Sequence, residues 1–494
     1  MAKHSLVGNI IAKGTLTLFN ALLPLIVTRY VYRVLGPANI GSIEYATVLV
    51  GYFLTIGMLG TYNYGLREIS ANRSNPALVR QIFRNLWCIN ILGNLTMLVA
   101  YIAFVYYFIH DPMLRNISWI LSGNLVAQVF YIEWYVEAIE EFSFITIKTI
   151  LIRTLSLIFF FIFVKSENDV YTYVFITSVV TIVGSLVSYI YGRCHIRIST
   201  KELYTGLNFR LYIVPLLTVL ILNNTAILYT MADRTILGYF TNAENVAYFS
   251  LGQKIVEMTR LMMLSIVFAT LPRLSFYLKE DKQKYQETLL KVMRLVLFLA
   301  LPMATGMCLL SGEIVDFFGG ADFEDAVPTM RLFSISLIFL SVEAIMYNQI
   351  IFLHGKERLL VVYNICCGVL NVALNLVVYY IFDLTPLTSC ACTFVSQLAF
   401  QVLCIMFIRK QLKIRLGIFT PNTLRYLLAS LVFVPIALTV QSLGFGTLKN
   451  FIIIIPLCAA AYALVMRMAH DEPYLQISGY VAKLLARIRK SNQA

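Results

Sequence analysis

Apolar windows of bilayer length, broken by charged residues, glycine and proline, recur along the whole chain. They predict membrane-spanning helices at about 10–34, 40–62, 86–109, 117–138, 147–164, 170–191, 211–239, 246–271, 292–311, 329–353, 360–381, 387–408, 424–442 and 451–468. The connections alternate in character. Odd-to-even ones are short, as at Gly36-Pro37-Ala38-Asn39, Thr241 to Asn245 and Phe382 to Pro386, whereas even-to-odd ones are longer and basic. The basic loops hold Arg67, Arg73, Arg80 and Arg84, then Arg193, Arg197, Lys201 and Arg210, then Arg273, Lys279, Lys282, Lys284 and Lys291, and finally Arg409, Lys410, Lys413, Arg415 and Arg425.

Composition agrees with that pattern. Fourteen spans of roughly 20 residues use about 280 mostly apolar positions, and 59% of the 494 residues are apolar. Only 13% are charged, about half the share in soluble domains, so a water-soluble globule is excluded. The expected fold class is an all-α membrane protein with about fourteen transmembrane helices.

The net charge of +13 finds its explanation in topology. With Lys3, Lys148, Lys356, Arg358 and the tail cations added, about 27 Lys and Arg fall on the side of the long loops and about three (Arg115, Lys165, Lys449) opposite. The positive-inside rule then places both termini in the cytoplasm, and no nucleic acid is needed as a partner. The apolar run after Lys3 continues to about Leu35, past a signal-peptide core of 7–15 residues, and reads as an uncleaved first span. The tail from Tyr474 to Lys490 has the pattern of a basic amphipathic helix for the inner leaflet. Nine cysteines without a CxxC spacing, and five histidines, predict no metal site and no disulfide framework. No G-x-x-x-x-G-K-[ST] loop for nucleotide is present.

An internal repeat organises the spans. Arg33-Val34-Leu35-Gly36 and Arg234-Thr235-Ile236-Leu237-Gly238 each follow a long odd-numbered span, close an outer turn, and stand six spans apart. Two six-span bundles, 1–209 and 210–410, related by an axis along the membrane normal, are therefore expected, with 411–494 adding two spans and the tail.

Three stretches carry a family resemblance. They are Gly8-Asn9-Ile10 through Pro24, Arg29-Tyr30, Leu35-Gly36 and Gly41; Tyr64-Gly65-Leu66-Arg67-Glu68-Ile69-Ser70; and Asp233-Arg234-Thr235-Ile236-Leu237-Gly238, continuing through Val246-Ala247-Tyr248-Phe249-Ser250 to Gln253-Lys254-Ile255. In order and position they resemble the polysaccharide transporter family, the O-antigen and capsule repeat-unit flippases of the multidrug/oligosaccharidyl-lipid/polysaccharide superfamily. The resemblance covers nearly the whole chain. It implies two six-helix lobes in a V around a central, typically cationic cavity, a bacterial inner-membrane location, and an oligosaccharide on undecaprenyl pyrophosphate as substrate. Other polysaccharide-assembly membrane proteins are the implied protein partners.

Ionisable groups at membrane depth are expensive and are functional candidates by default. Span 8 carries Lys254, Glu257 and Arg260 on one broad face, net positive and suited to a phosphate, or else an internal ion-pair ladder. Arg153 in span 5, and Arg29 and Lys13 near the two ends of span 1, are further cationic candidates; snorkelling accounts equally well for the last two. Glu44 in span 2 and Asp233-Arg234 in span 7 occupy corresponding outer halves and read as a gate, a coupling site or a plain structural pair. Glu343 in span 10 has no charge within a turn, needs a partner from another helix or a proton, and is the leading proton-coupling candidate. Glu133 and Glu137, flanking Trp134 and Tyr135, read as the cytoplasmic mouth with an interfacial aromatic belt. Asn364, Asn371 and Asn375 form a polar stripe for sugar hydroxyls, or for interhelical hydrogen bonds.

These features favour a flippase working by alternating access, with no catalytic residue and no cofactor, and with H⁺ or Na⁺ as the coupling ions to consider. A multidrug extruder shares the architecture but would favour an acidic lumen. A polysaccharide polymerase or ligase would carry a large outer loop with catalytic Arg or His, and the outer loops here are short.

Overall fold

The computed structural model describes residues 6–224 and 231–479, which are helical throughout, with no strand among them. Eleven of the described helices are long and apolar enough to cross a bilayer. This differs from the expected count of about fourteen at three places.

The first is at the start of the chain, where spans 1 and 2 run together as Leu6–Met58, interrupted at Gly36 (φ 74°, ψ 169°). Fifty-three unbroken helical residues would reach about 80 Å, far beyond a hydrocarbon core of about 30 Å. A straight helix would also hold residues 32 and 44 about 18 Å apart, yet the Tyr32 hydroxyl donates to Glu44 Oε1 at 3.2 Å. The two limbs therefore fold back on each other, and only glycine adopts the left-handed backbone of that turn without strain.

The second is span 4, which is divided into Pro112–Leu121, Gly123–Val129 and Glu133–Ala138. At the break over 130–132 the Gln128 carbonyl is taken up by Asn90 Nδ2 at 2.7 Å, which meets the requirement that backbone groups at membrane depth be satisfied. The third is span 7, of which Arg210–Asn224 and Ala232–Phe240 lie in the described residues.

Helix starts are chemically marked. Asn75-Pro76, Asp111-Pro112, Thr385-Pro386 and Thr420-Pro421 each place an accepting side chain at the cap and proline in the first turn, where a missing N–H costs nothing. Tyr106, Tyr107 and Phe108, Phe163, Tyr239, and Tyr379 to Phe382 are exposed at helix ends read as outer, the composition of an interfacial aromatic girdle.

The chain divides into two compact units, Met1–Ser250 and Leu251–Ala494, the boundary falling inside the helix Ala243–Glu280. In the first unit, Tyr64, Phe83, Trp87, Trp134 and Tyr135 build an aromatic core. The belt reading of Trp134 and Tyr135 is thereby corrected: Trp134 is fully buried, and its indole lies over Gly65, where a methyl group would collide with it.

In the second unit, Val327–Ile345 continues into a π-helical turn, Met346–Ile351. There the buried Gln349 donates to the Val267 carbonyl and to Thr270 Oγ1, both at 2.8 Å, just before Pro272 in the helix Ala243–Glu280. Tyr285 completes the clamp by donating to the Gln349 carbonyl at 2.8 Å. After the last span, Asp471 is sealed against Arg294 (2.7 Å) and the Tyr426 hydroxyl (2.9 Å), with Glu472 also on Arg294 at 3.1 Å. The amphipathic tail is helical where described, to residue 479, and its cations Lys483, Arg487 and Lys490 lie outside the described residues.

Candidate functional site

Polar groups at membrane depth gather in three places. The first is a seam in the first unit between the limb after Gly36 and the segments 231–250. Arg234 donates to Glu44 Oε2 at 3.0 Å, and Tyr32 holds the other carboxylate oxygen. Tyr52 and Thr235 share a hydrogen bond of 3.1 Å, and Gly238 lies against the Tyr45 ring. Gly41 meets the backbone of Ala243 so closely that a methyl there would stand 1.6 Å from its carbonyl oxygen. Small residues that let backbones touch, with an ion pair beside them, make a tight and polar membrane seam. Asp233 is fully buried in it.

The second gathering is in the second unit. Arg260 grips Glu257 in a fork, Nε to Oε2 at 2.7 Å and a terminal nitrogen to Oε1 at 2.5 Å, so two members of the span 8 triad form an internal pair. Lys254 is half-buried on the same helix. Glu343, half-buried on Val327–Ile345, lies within electrostatic range of Arg260 and Glu257.

The third gathering was not anticipated from sequence. Lys148, counted among the cytoplasmic cations, is buried in the first unit, where its ammonium donates to Glu133 Oε1 and, at 2.8 Å, to Ser188 Oγ. Arg153, half-buried, feels the Glu133 charge. One turn along from Glu133, the Glu137 carboxylate accepts from the Tyr62 hydroxyl at 2.6 Å. The signal that could have found this group is the start of the next helix: it begins at Phe142, which puts Lys148 well inside the span.

The remaining candidates stand apart. Arg29 is exposed on the first limb. Lys13 lies on the same helix, its side chain outside the described residues. Asn364, Asn371 and Asn375 are buried, Asn371 donating to Thr393 Oγ1 across the helix pair at 2.9 Å and Asn375 to the Asn371 carbonyl at 3.0 Å. In this arrangement the stripe serves helix packing, and a sugar would reach it only if that seam opened.

A sequence profile of the polysaccharide biosynthesis protein family matches residues 6–278, and a MatE profile matches 215–377. A protein of Escherichia coli (strain K12) named "Putative O-antigen transporter" is 23% identical over 399 residues, covering 78% of this chain and 91% of that protein. A protein of the same name from Shigella dysenteriae is 23% identical over 379 residues, 73% and 90% of the two chains. Among solved structures, the lipid II flippase MurJ in an inward closed conformation aligns with a TM-score of 0.71 at 13% identity, over 94% of this chain and 100% of that one. An inward-facing multidrug resistance MATE transporter of the MOP superfamily aligns with a TM-score of 0.63 at 12% identity, over 82% and 98%. The structural likenesses show the fold, and the profile covers more than half of the chain. The chain belongs to the polysaccharide biosynthesis protein family.

Proposed function

We propose that the protein is a flippase that moves undecaprenyl-pyrophosphate-linked oligosaccharide repeat units from the cytoplasmic to the outer leaflet of a bacterial inner membrane. The product serves surface polysaccharide assembly, and no bond is made or broken. The observation that carries this reading is the family match over residues 6–278, supported by relatives named for O-antigen transport that align over most of the chain. We read the chain as fourteen crossings with both termini cytoplasmic: the hairpin at Gly36, the divided span 4 and span 7 would supply the three crossings beyond the eleven long helices. Lobes 1–209 and 210–410 would alternate access to a polar path while the polyprenyl chain stays in lipid. The seam at Glu44, Arg234 and Gly41 would form part of an outer closure. A pyrophosphate diester carries about two negative charges, so outward movement across an inside-negative potential of 100 mV is favoured by about 5 kcal/mol. Coupling to H⁺ or Na⁺ would add to that, with Glu343 one place for it.

Depletion of the protein followed by chemical analysis of lipid-linked intermediates tests the reading. Accumulation of a complete repeat unit on the inner leaflet is expected; normal surface glycan without accumulation would refute it. The MatE match over 215–377 supports a second reading, drug extrusion, under which depletion would sensitise cells to cationic drugs and leave the lipid-linked pool unchanged.

A further inference from the structure

In the first unit a carboxylate occupies a place built from anion-binding donors. The Lys148 side chain, 6% exposed, directs its ammonium at Glu133 and Ser188. Ser188 Oγ is also 3.3 Å from the same Glu133 oxygen, and Arg153 lies within electrostatic reach of that carboxylate. An ammonium and a hydroxyl on one anionic oxygen, with a guanidinium within electrostatic reach, are donors of the kind that recognise a phosphoryl group. Glu133 opens the short helix Glu133–Ala138 directly after the break over 130–132, and its side chain is 27% exposed against 6% for Lys148, which makes it the more solvent-accessible member of the pair.

At the centre of the cluster two carboxylates face two cations. Glu133 and Glu137 come from the short helix, and Lys148 and Arg153 from Phe142–Phe163. Thr61–Ala71 contributes the Tyr62 hydroxyl on Glu137, and Tyr131 lies in electrostatic range of both carboxylates. Val170–Ile196 contributes Ser188, with Arg193 farther along, and from Pro76–Phe108 Arg80 faces Tyr135. Neutralising one carboxylate therefore leaves a net positive site in a medium where uncompensated charge is costly.

We propose that this cluster is a proton-linked binding site for a phosphate or pyrophosphate group, in which Glu133 is the internal counter-ion that the ligand replaces. A proton from the aqueous side adds to the Glu133 carboxylate; the neutral acid leaves Lys148 and Ser188; a phosphoryl oxygen takes those donors together with Arg153. One proton and one anion enter, and on release Glu133 returns its proton and re-forms the pair. The biological role rests on the flippase reading above, whereas the site itself is testable with an inorganic anion.

The test measures binding of inorganic pyrophosphate to the full chain in lipid nanodiscs from mildly acid to mildly alkaline pH. Pyrophosphate itself titrates, so the quantity read is wild type relative to Glu133→Gln. Wild-type affinity should fall relative to that variant with rising pH, approaching about tenfold per pH unit, the signature of one linked proton. Ser188→Ala should weaken binding about threefold with an unchanged slope. Lys148→Met alone leaves Glu133 without its partner and can fail to fold, so Glu133→Gln/Lys148→Met is measured beside it: both charges are gone, and anion binding should drop tenfold or more, on the order of one charge-assisted contact. Identical pH profiles for wild type and Glu133→Gln, or wild-type binding in the double variant, would overturn the site. Tighter binding of farnesyl pyrophosphate than of pyrophosphate assigns the ligand to a lipid headgroup, and equal binding to a free anion. Continued flipping of lipid-linked oligosaccharide by a chain that binds no anion here would overturn the site and leave the flippase reading in place.

Discussion

Replacing Gly41 by valine probes whether the seam in the first unit is a working contact. A Cβ on residue 41 would stand 1.6 Å from the Ala243 carbonyl oxygen and 2.3 Å from its carbon, backbone atoms that no rotamer change can move. Real Cβ atoms essentially never approach within 3.0 Å, so the limb after Gly36 and the start of Ala243–Glu280 must part by roughly 1.5 Å. Overpacking of this kind costs about 1–3 kcal/mol. A bias of about 2 kcal/mol changes a two-state ratio about 30-fold, enough to move the seam from mostly closed to substantially open. Spin labels at the exposed positions Ala38 and Glu244, in a cysteine-depleted background, report the separation by double electron–electron resonance. The Gly41→Val distribution should shift to longer distances, and transport should fall. Gly306→Ala is the control: nothing lies within 4 Å of its added methyl, and the change favours the helix by about 1 kcal/mol. An unchanged distribution with unchanged transport in Gly41→Val would refute the claim that backbone contact at this seam limits the conformational cycle.

Other consequences are equally direct. Asp471→Ala leaves the buried Tyr426 hydroxyl and Arg294 without their shared acceptor and should destabilise the chain by about 3 kcal/mol in thermal unfolding; Glu472→Gln, on an exposed carboxylate, should cost under about 1 kcal/mol. Gln349→Leu removes both donors to Val267 and Thr270 beside Pro272 and should cost about 1–3 kcal/mol, with hydrogen exchange rising around residues 267–272; unchanged exchange there would reject the clamp. The Lys284 backbone N–H, then the Lys284 ammonium, hold the Asp281 carboxyl below the usual carboxylate range. A depressed carboxyl contributes stability above its unfolded pKa of about 3.9 and loses it as pH falls through the folded value, so exchange of amides 283–285 should quicken only in that acid range, and Asp281→Asn, which still caps, should abolish the dependence. Glu257→Gln frees the Arg260 fork, so apparent substrate affinity should rise while turnover falls; higher turnover would reject it.

Hydropathy finds the long spans because bilayer thickness is a coarse constraint repeated in every helix, and it finds the Gly36 turn because Gly-Pro interrupts an apolar run. It presents span 4 as continuous because nothing in Phe130-Tyr131-Ile132 marks a break. The group that supports that break is Asn90, on a different helix. Lys148 reads as a loop cation because the apolar window opens at about 147, whereas the helix begins at Phe142 and the mostly apolar run Phe142-Ser143-Phe144-Ile145-Thr146-Ile147 puts Lys148 inside it. Trp134 and Tyr135 carry the composition of an interfacial belt, and only tertiary packing onto Phe83 and Gly65 makes them core. Among the sites, Glu343 and the Glu44–Arg234 pair are legible as charges that need partners. Which partner each has depends on helix rotation, which loose periodicity does not determine.

The pairing itself bears on how an anion carrier can be built. In the sequence, Lys254, Glu257 and Arg260 read as a net positive face, yet the structure engages both arms of Arg260 with Glu257, sets Arg234 on Glu44, and sets Lys148 on Glu133. A fixed row of uncompensated cations at membrane depth would be costly to fold and would hold a pyrophosphate too tightly to release. Where a carboxylate already occupies the cation, binding becomes an exchange of one charge-assisted contact for another, each worth about 1.5–3 kcal/mol, and the net free energy is the small difference between them. Such an exchange keeps the empty carrier stable, makes loading and unloading comparable in energy, and couples both to whatever neutralises the displaced carboxylate. A proton on Glu133 does this within the first unit without requiring that any cation stand exposed.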